Sequence, residues 1–342
     1  MSVPKPLVRA GLRFVRPMMH SSKVSLGTKR TLADSIAGGA IAPDGAIYDF
    51  DVIAGMPVQV VTVEGAGPTS GRATMVYLHG GGHVVGSAQA YRAFAANLAK
   101  SSGMDIILPE YPLAPESPYP AALDSMVALY RALPAYGVDL STVVLAGDDA
   151  GAGLALAVAM EIRDQGLPMP AAIGMISPWL DLSLDLERKR PSAGDPWFTP
   201  ALATRWARPY VAGANPKLPG ISPLHGDFDE LPPIVIHYCG LDPLHTDAEA
   251  FVAKASEMEA GPRVIASEFP TMWQSFHLQV GRLEAADSAV AEFGTSLAEL
   301  AAAPRASRPG VVPINRPVAG RGGRRLTLVK PVADLETPSA QA

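Results

Sequence analysis

The segment Thr142–Gln165, TVVLAGDDAGAGLALAVAMEIRDQ, decides the fold. Its first five residues form a continuous apolar run with the length of a buried strand, and residues 153–165 have the composition of a helix. Gly147 and Gly151 lie between the two, and glycines allow the backbone to turn sharply and to approach its neighbours closely. The segment therefore predicts a strand, a sharp turn with Asp149 at its apex, and a helix.

Apolar runs and helical segments alternate along most of the remaining chain. Further strands are predicted at 74–78, 105–108, 171–176, 234–238 and 264–269. Further helices are predicted at 89–101, 120–133, 246–258 and 284–302. Continuous apolar strands between helices are buried on both faces, which indicates an α/β fold with a mostly parallel sheet.

Three segments interrupt this alternation and define the predicted domain organisation. Residues 1–45 are interpreted as an N-terminal cap segment, and residues 183–230 as a cap insert in the main domain, 46–303. Both are expected above the carboxyl ends of the strands, where open α/β sheets bind ligands. Residues 304–342 are rich in Pro, Gly and Arg and predict an extended or disordered tail.

The composition excludes several classes of protein. Hydrophobic residues make up 48% of the 342 residues and charged residues 18%, as in a globular enzyme. Residues 1–30 hold seven Lys/Arg and no acid, and residues 304–342 hold seven Lys/Arg and two acids. The segment between them therefore holds 14 basic and 31 acidic residues, a net charge of −17 that argues against nucleic acid as a partner.

The cysteine count and the hydropathy bear on location. The single cysteine, Cys239, excludes an internal disulfide and suits a reducing cytosol, so a cytoplasmic location is expected. No apolar run reaches the roughly 18 residues of a membrane span, so no stable membrane insertion is expected. Near the N-terminus, Leu7, Val8, Leu12 and Val15 alternate with arginines, which predicts an amphipathic helix. Packing over the body of the protein is the favoured interpretation, and contact with an anionic membrane surface is the alternative.

A glycine-rich loop follows the strand that ends at Leu78. It reads HGGGHVVGS from His79 to Ser87, and consecutive glycines let backbone N–H groups point at a ligand. Four further motifs follow in order: EYPLAPE (110–116), YPAA (119–122), SPWLDL (177–182) and GLDPL (240–244).

This series resembles the bacterial hormone-sensitive-lipase family of carboxylesterases, also called family IV, from about residue 45 to residue 302. The resemblance implies an α/β-hydrolase fold, with an eight-stranded, mostly parallel sheet flanked by helices and a helical cap. It implies an oxyanion hole formed by the N–H groups of Gly80, Gly81 and Ala150. The usual reaction of the family is hydrolysis of short-chain esters.

The sequence departs from the family pattern at two of the three catalytic positions. The family has Gly-Asp-Ser-Ala-Gly at the turn, whereas Asp149 stands here in place of the serine. The position of the histidine is Gln274, whose amide cannot act as a general base. The acid of the triad is retained as Asp242. An ordinary serine esterase is therefore not expected.

Three functions remain open for such a site. The preferred hypothesis is a non-hydrolytic acid/base enzyme, in which Asp149 moves protons on a hydrophobic carbonyl compound, as in dehydration, elimination or cyclisation. The second is a catalytically silent pseudo-esterase that binds a ligand or partner. The third is a residual ester or epoxide hydrolase with Asp149 as nucleophile, which would need His277 as its base.

The remaining predictions concern the surroundings of the site. By resemblance, His79 holds the glycine loop, whereas His83, His277 and Trp273 are candidates for the pocket. His83 is interpreted as a residue of the pocket wall, and a role as a proton carrier is the alternative. No metal-ligand spacing or dinucleotide motif occurs, so neither a metal nor a cofactor is expected. The predicted partner is a small hydrophobic carbonyl or ester-like molecule, with a homodimer as a further option.

Overall fold

A computed structural model describes residues 3–65, 73–183, 194–258 and 260–302. The predicted tail, 304–342, and ten residues of the predicted cap insert, 184–193, lie outside these ranges.

The described residues form one eight-stranded sheet with the order β1-β2-β4-β3-β5-β6-β7-β8. The strands are β1 Ala46–Ile53, β2 Met56–Val63, β3 Thr74–Leu78, β4 Asp105–Pro109, β5 Val144–Asp148, β6 Ala172–Ile176, β7 Ile234–Cys239 and β8 Val264–Phe269. β2 is antiparallel to β1 and β4, and the pairs from β4 to β8 are parallel. The predicted α/β-hydrolase fold is confirmed.

Eight α-helices accompany the sheet in the described ranges. They are α1 Lys5–His20, α2 Leu26–Ala37, α3 Arg92–Ser102, α4 Ala121–Ala132, α5 Asp149–Asp164, α6 Pro200–Val211, α7 His245–Glu257 and α8 Glu284–Ala302. Short 3-10 helices lie at Leu133–Tyr136, Leu140–Thr142, Pro223–His225 and Phe276–Gln279. No helix in the described ranges is long and apolar enough to cross a membrane.

The central strands pack helices on both faces, because their successive side chains point in opposite directions. On β3, Met75 and Tyr77 belong to a core that includes the apolar side chains of α3 and α8. Val76 and Leu78 belong to the opposite core, which includes α4, α5 and α7. Burial on both faces explains why these strands lack a polar alternation in the sequence.

One predicted boundary differs substantially from the structure. Helix α5 begins at Asp149, four residues before the start expected at Gly153. The turn itself is thus the first turn of the helix, and it lies directly against the loop after β3: a Cβ added to Gly151 would come 2.1 Å from the Leu78 carbonyl oxygen. The other predicted elements agree with the structure to within three residues at each end.

Helix α6 lies against the glycine loop, α2 lines the cavity at Asp149 and α1 packs on α2, and we call these three helices the cap helices. The His20 ring on α1 contacts the Trp197 carbonyl at 3.1 Å, and Trp206 on α6 lies against Gly82. On α1, Leu12 and Met19 are buried, whereas Leu7 is 63% exposed. Leu7 is therefore not part of the face that packs on the body, because it lies more than 90° around the helix from Leu12.

We expect the two helical glycines Gly151 and Gly11 to respond oppositely to alanine. Gly151→Ala should lower the free energy of unfolding by about 3 kcal/mol, because the new methyl group meets backbone atoms that cannot move aside. Gly11→Ala should raise it by about 0.5–1 kcal/mol, since nothing lies within 4 Å of its added Cβ. Urea denaturation measures both, and equal effects would contradict the close packing at the turn.

Candidate active site

Asp149 lies at the apex of the turn between β5 and α5. Its φ is +51°, which is rare for a residue with a side chain and marks a backbone held by its surroundings. Gly147 makes this possible, because a Cβ there would come 2.5 Å from the Leu78 carbonyl oxygen. The turn thus presents the Asp149 side chain toward the glycine loop after β3.

Only one of the two oxygens of the Asp149 carboxyl group accepts hydrogen bonds. Its Oδ2 accepts hydrogen bonds from the backbone N–H groups of Gly81 (3.0 Å) and Gly82 (2.9 Å). Its Oδ1 is buried and has no hydrogen-bond partner. The two loop N–H groups therefore bind the side chain of the turn itself.

The loop N–H groups differ in part from those expected. Gly80 N–H faces away from Asp149 and donates to Asp148 Oδ1 at 2.8 Å. Gly82, which the sequence analysis did not assign, takes its place beside Gly81. Ala150 N–H stabilises the charged form of Asp149 and so lowers its pKa, but Oδ1 has no hydrogen-bond partner. The HGGG motif contained Gly82, but only the path of the loop shows which of its N–H groups converge.

Burial raises the pKa of Asp149 above its ordinary value. The N–H groups of Gly81 and Gly82 oppose this rise most strongly, followed by Ala150 N–H and the Gln274 side chain. Hydrogen bonds to Oδ2 stabilise the carboxylate form, whereas the lack of solvent around Oδ1 favours the acid form. Burial outweighs these hydrogen bonds, so the acid form of Asp149 is favoured relative to a free aspartate.

Asp148, next to Asp149 in the chain, has hydrogen-bond donors on both of its carboxyl oxygens. Its carboxyl oxygens accept hydrogen bonds from Tyr77 Oη (3.1 Å), Tyr91 Oη (3.0 Å), Ser275 Oγ (3.2 Å) and Gly80 N–H. Burial, followed by the adjacent Asp149 charge, raises its pKa to about 7. Asp148 therefore joins the glycine loop, α3 and the chain after β8 into one structure.

Gln274 and Asp242 occupy the remaining two positions of the family's catalytic triad. Asp242 Oδ1 accepts from Leu244 N–H at 2.8 Å, while Asp242 Oδ2 and Gln274 Oε1 are buried without partners. Burial, followed by the Asp195 charge, raises the pKa of Asp242 well above its ordinary value. Two buried oxygens without donors are costly and call for a hydrogen-bond donor at this point of the site.

Asp195 was missed by the sequence analysis. It is buried between the cap and the body, where its Oδ2 accepts from Gln274 N–H at 2.9 Å and its Oδ1 from the N–H groups of Trp197 and Phe198. Burial raises its pKa to about 6. No motif surrounds Asp195 in the sequence, so only the tertiary structure reveals that it fixes the backbone of Gln274.

The structure does not bring the remaining candidate residues together at Asp149. His277 Nε2 contacts His237 Nδ1 at 3.1 Å behind the site, and burial lowers the pKa of His277 well below its ordinary value. His83 stacks on Tyr210, with ring centres 3.7 Å apart, and burial lowers its pKa to about 3. Trp273 is buried against Phe276.

His79 lies under the glycine loop. Its Nδ1 contacts the Gly80 carbonyl at 2.9 Å, and its ring stacks on Tyr111 with centres 4.3 Å apart. Tyr111 Oη donates to the His79 carbonyl at 2.6 Å. Burial lowers the pKa of His79 to about 4, so a neutral imidazole supports the loop.

A small cavity of about 30 Å³ lies at Asp149. This volume holds about two water molecules. Its walls are mostly apolar, and its lining includes Ile36, Gly81, Val85, Asp149, Trp197 and Gln274. Trp197 belongs to an aromatic cluster with Phe198 and Trp206, which lies over the site. In the described ranges, no group of three or more His, Cys, Asp or Glu residues could hold a metal ion.

This architecture matches known proteins along most of the chain. Residues 75–278 match a family described as having the alpha/beta hydrolase fold. The chain is 43% identical over 297 residues to LipR of Mycobacterium tuberculosis, a candidate acetyl-hydrolase. The aligned region covers 87% of this chain and 95% of LipR. An acetyl-hydrolase of Streptomyces hygroscopicus is 40% identical over 205 residues, covering 60% of this chain and 68% of that protein.

A solved esterase of the bacterial hormone-sensitive-lipase family superimposes with a TM-score of 0.80 at 29% identity, covering 87% of this chain and 99% of the esterase. The chain therefore belongs to the α/β-hydrolase family. Within it, the chain is of the hormone-sensitive-lipase type, as its motif series indicated.

The raised pKa of Asp148 predicts a pH dependence of stability. An acid with a raised pKa in the folded state stabilises the fold when protonated, so this contribution is full below about pH 4 and is lost as pH rises through about 7. Asp148→Asn can keep the Gly80 hydrogen bond and donate to Tyr91 and Ser275, so it should remove this dependence. Urea denaturation at several pH values tests it, with exposed Asp44→Asn as the control. Equally steep pH profiles for Asp148→Asn and wild type would contradict this assignment.

Proposed function

We propose that the protein is an acid/base enzyme of the hormone-sensitive-lipase type, in which the Asp149 carboxyl moves a proton on a small apolar carbonyl compound. The observation that carries the proposal is the unequal environment of the two carboxyl oxygens. Oδ2 is anchored by Gly81 and Gly82, Oδ1 is buried without a hydrogen-bond partner, and the Asp149 residue lines the cavity. A fixed carboxylate with one free oxygen is suited to proton transfer.

The pKa of Asp149 supports this role. Burial raises the pKa, and the N–H groups on Oδ2 limit that rise. A general base works best when its pKa is near the operating pH, because it must both accept and return a proton. The free Oδ1 can accept a proton from a carbon acid, and the acid form can return it to the product. No histidine is needed for this cycle.

The same contacts argue against the usual ester chemistry of the family. Ester hydrolysis requires a nucleophile, a base and N–H donors that are free to bind the developing oxyanion. Here the carboxylate of Asp149 occupies the Gly81 and Gly82 donors, and an amide stands at position 274. Hydrolysis through an Asp149 ester would need a base beside it, and His277 is instead paired with His237.

One observation favours a second candidate, a catalytically silent pseudo-esterase whose ligand or partner binds outside the cavity at Asp149. The cavity of about 30 Å³ is far smaller than the roughly 300 Å³ at the lower end of small-molecule pockets. In this alternative, Asp149 fills the oxyanion hole permanently and the cap helices stay closed. The acid/base hypothesis requires the aromatic cluster over the site to move when a substrate enters.

Exchange of carbon-bound hydrogen separates the two candidates. Wild-type protein in D2O should accelerate the loss of the α-proton NMR signal of ethyl acetoacetate, which carries both a ketone and an ester. Asp149→Asn should lower the rate by at least about a hundredfold, because a positioned general base contributes about 10²–10⁴. Asp44→Asn, an exposed carboxyl, serves as the control. Equal rates for wild type and Asp149→Asn would favour the silent protein.

Restoring the family's serine and histidine tests whether the rest of the esterase site is still in place. Asp149→Ser with Gln274→His should produce hydrolysis of p-nitrophenyl acetate that wild type lacks, since Gly81 and Gly82 become free and Asp242 Oδ2 can accept from the new imidazole. Asp149→Ser alone should stay at least about a hundredfold slower, because no base activates the serine. Hydrolysis by wild type that is lost in Asp149→Asn would contradict the proposed non-hydrolytic role.

A further inference from the structure

Helix α1 carries two apolar stripes, of which only one packs against the protein. Leu12 and Met19 are buried against the body. Leu7, Phe14 and Met18 are exposed to 63%, 81% and 40%. The spacings of seven and four residues put these three side chains on one face of the helix. We call them the outer stripe, and an exposed apolar stripe of this kind marks an interaction surface.

The helix that carries the outer stripe is basic. Lys5, Arg9, Arg13 and Arg16 belong to the same helix, and residues 1–30 contain no acid. Arg9 donates to the Gly194 carbonyl at 2.7 Å and Lys5 to the Thr271 carbonyl at 2.6 Å, so both side chains are turned toward the body of the protein. Arg13 is exposed. The partner of this surface should therefore be both apolar and anionic.

A cavity of about 270 Å³ opens beside the stripe. Leu7 belongs both to the outer stripe and to the wall of this cavity, which continues along Val8 and Gly11 to Ile36 of α2. Arg282 also lines it, and its side chain has no ion pair among the described residues. The apolar surface is thus continuous from the helix into a depression that has a further cation at its wall.

The charges distinguish between the candidate occupants. A second copy that docked through the same face would bring the exposed Arg13 and Arg282 of both copies together, and like charges across an interface oppose association. The C-terminal residues 304–342 carry seven basic and two acidic residues and would also be repelled. An anionic bilayer offers both negative headgroups for the arginines and acyl chains for the apolar stripe.

We propose that α1 docks the protein on the surface of an anionic lipid bilayer, with Leu7, Phe14 and Met18 inserted between the headgroups. The helix lies in the plane of the interface, and the exposed Arg13 and Arg282 at the edges of the stripe contact lipid phosphates and carboxylates. The cavity beside Leu7 then faces the bilayer. This proposal concerns an outer surface and is independent of the chemistry at Asp149.

Co-flotation of the full chain with vesicles tests the docking. The protein should float with equimolar phosphatidylcholine and phosphatidylserine and stay behind with phosphatidylcholine alone. Phe14→Ser should weaken binding by about tenfold, because it removes a large apolar side chain from the interface. Arg13→Glu should weaken it by more than about fivefold, since one basic residue near such a surface contributes about that factor.

Two matched variants control for unspecific effects. Phe50→Ser replaces a phenylalanine that is 64% exposed on β1, and Lys217→Glu reverses an exposed charge after α6. Both should bind like wild type. Absence of flotation, equal binding to both vesicles, or equal losses in Phe14→Ser and Phe50→Ser would overturn the proposal. A concentration-dependent dimer that Phe14→Ser dissociates, without vesicle binding, would overturn it in favour of a contact between copies.

Discussion

The hydrogen bonds from Gly81 and Gly82 to Asp149 Oδ2 are the interaction on which the arrangement of the site depends. They join two chain segments that come from neighbouring parallel strands, β3 and β5. The carboxyl can reach them only because the backbone of Asp149 is left-handed and because Gly147 and Gly151 let the turn press against Leu78. A side chain on either glycine would push the turn and the loop apart, and the hydrogen bonds would be lost.

This interaction brings two adjacent buried carboxyl groups close to the same loop. Asp148 is surrounded by donors and joins the loop to α3 and to Ser275, whereas Asp149 has donors on one oxygen only. Burial raises the pKa of both groups, and the charge of Asp149 raises the pKa of Asp148 further. One carboxyl group is thus a structural link, and its neighbour retains an oxygen that is free for chemistry.

The cap helices determine what can reach that oxygen. Trp197, Phe198 and Trp206 form an aromatic cluster over the loop, and Asp195 connects this region to Gln274. The cavity left at Asp149 is small and mostly apolar. The proposed chemistry therefore depends on cap movement as much as on the carboxyl group. The exposed stripe on α1 belongs to the same cap helices.

The sequence by itself determined the α/β class, the parallel strands and the position of Asp149, because continuous apolar runs and paired glycines are local signals of buried strands and a sharp turn. It also identified Asp242 and Gln274 through motif order. The tertiary structure alone decided which loop N–H groups converge on Asp149, that Asp195 holds Gln274 and that His277 pairs with His237. These contacts join residues far apart in the chain, and their geometry depends on how loops and cap helices pack rather than on any local pattern.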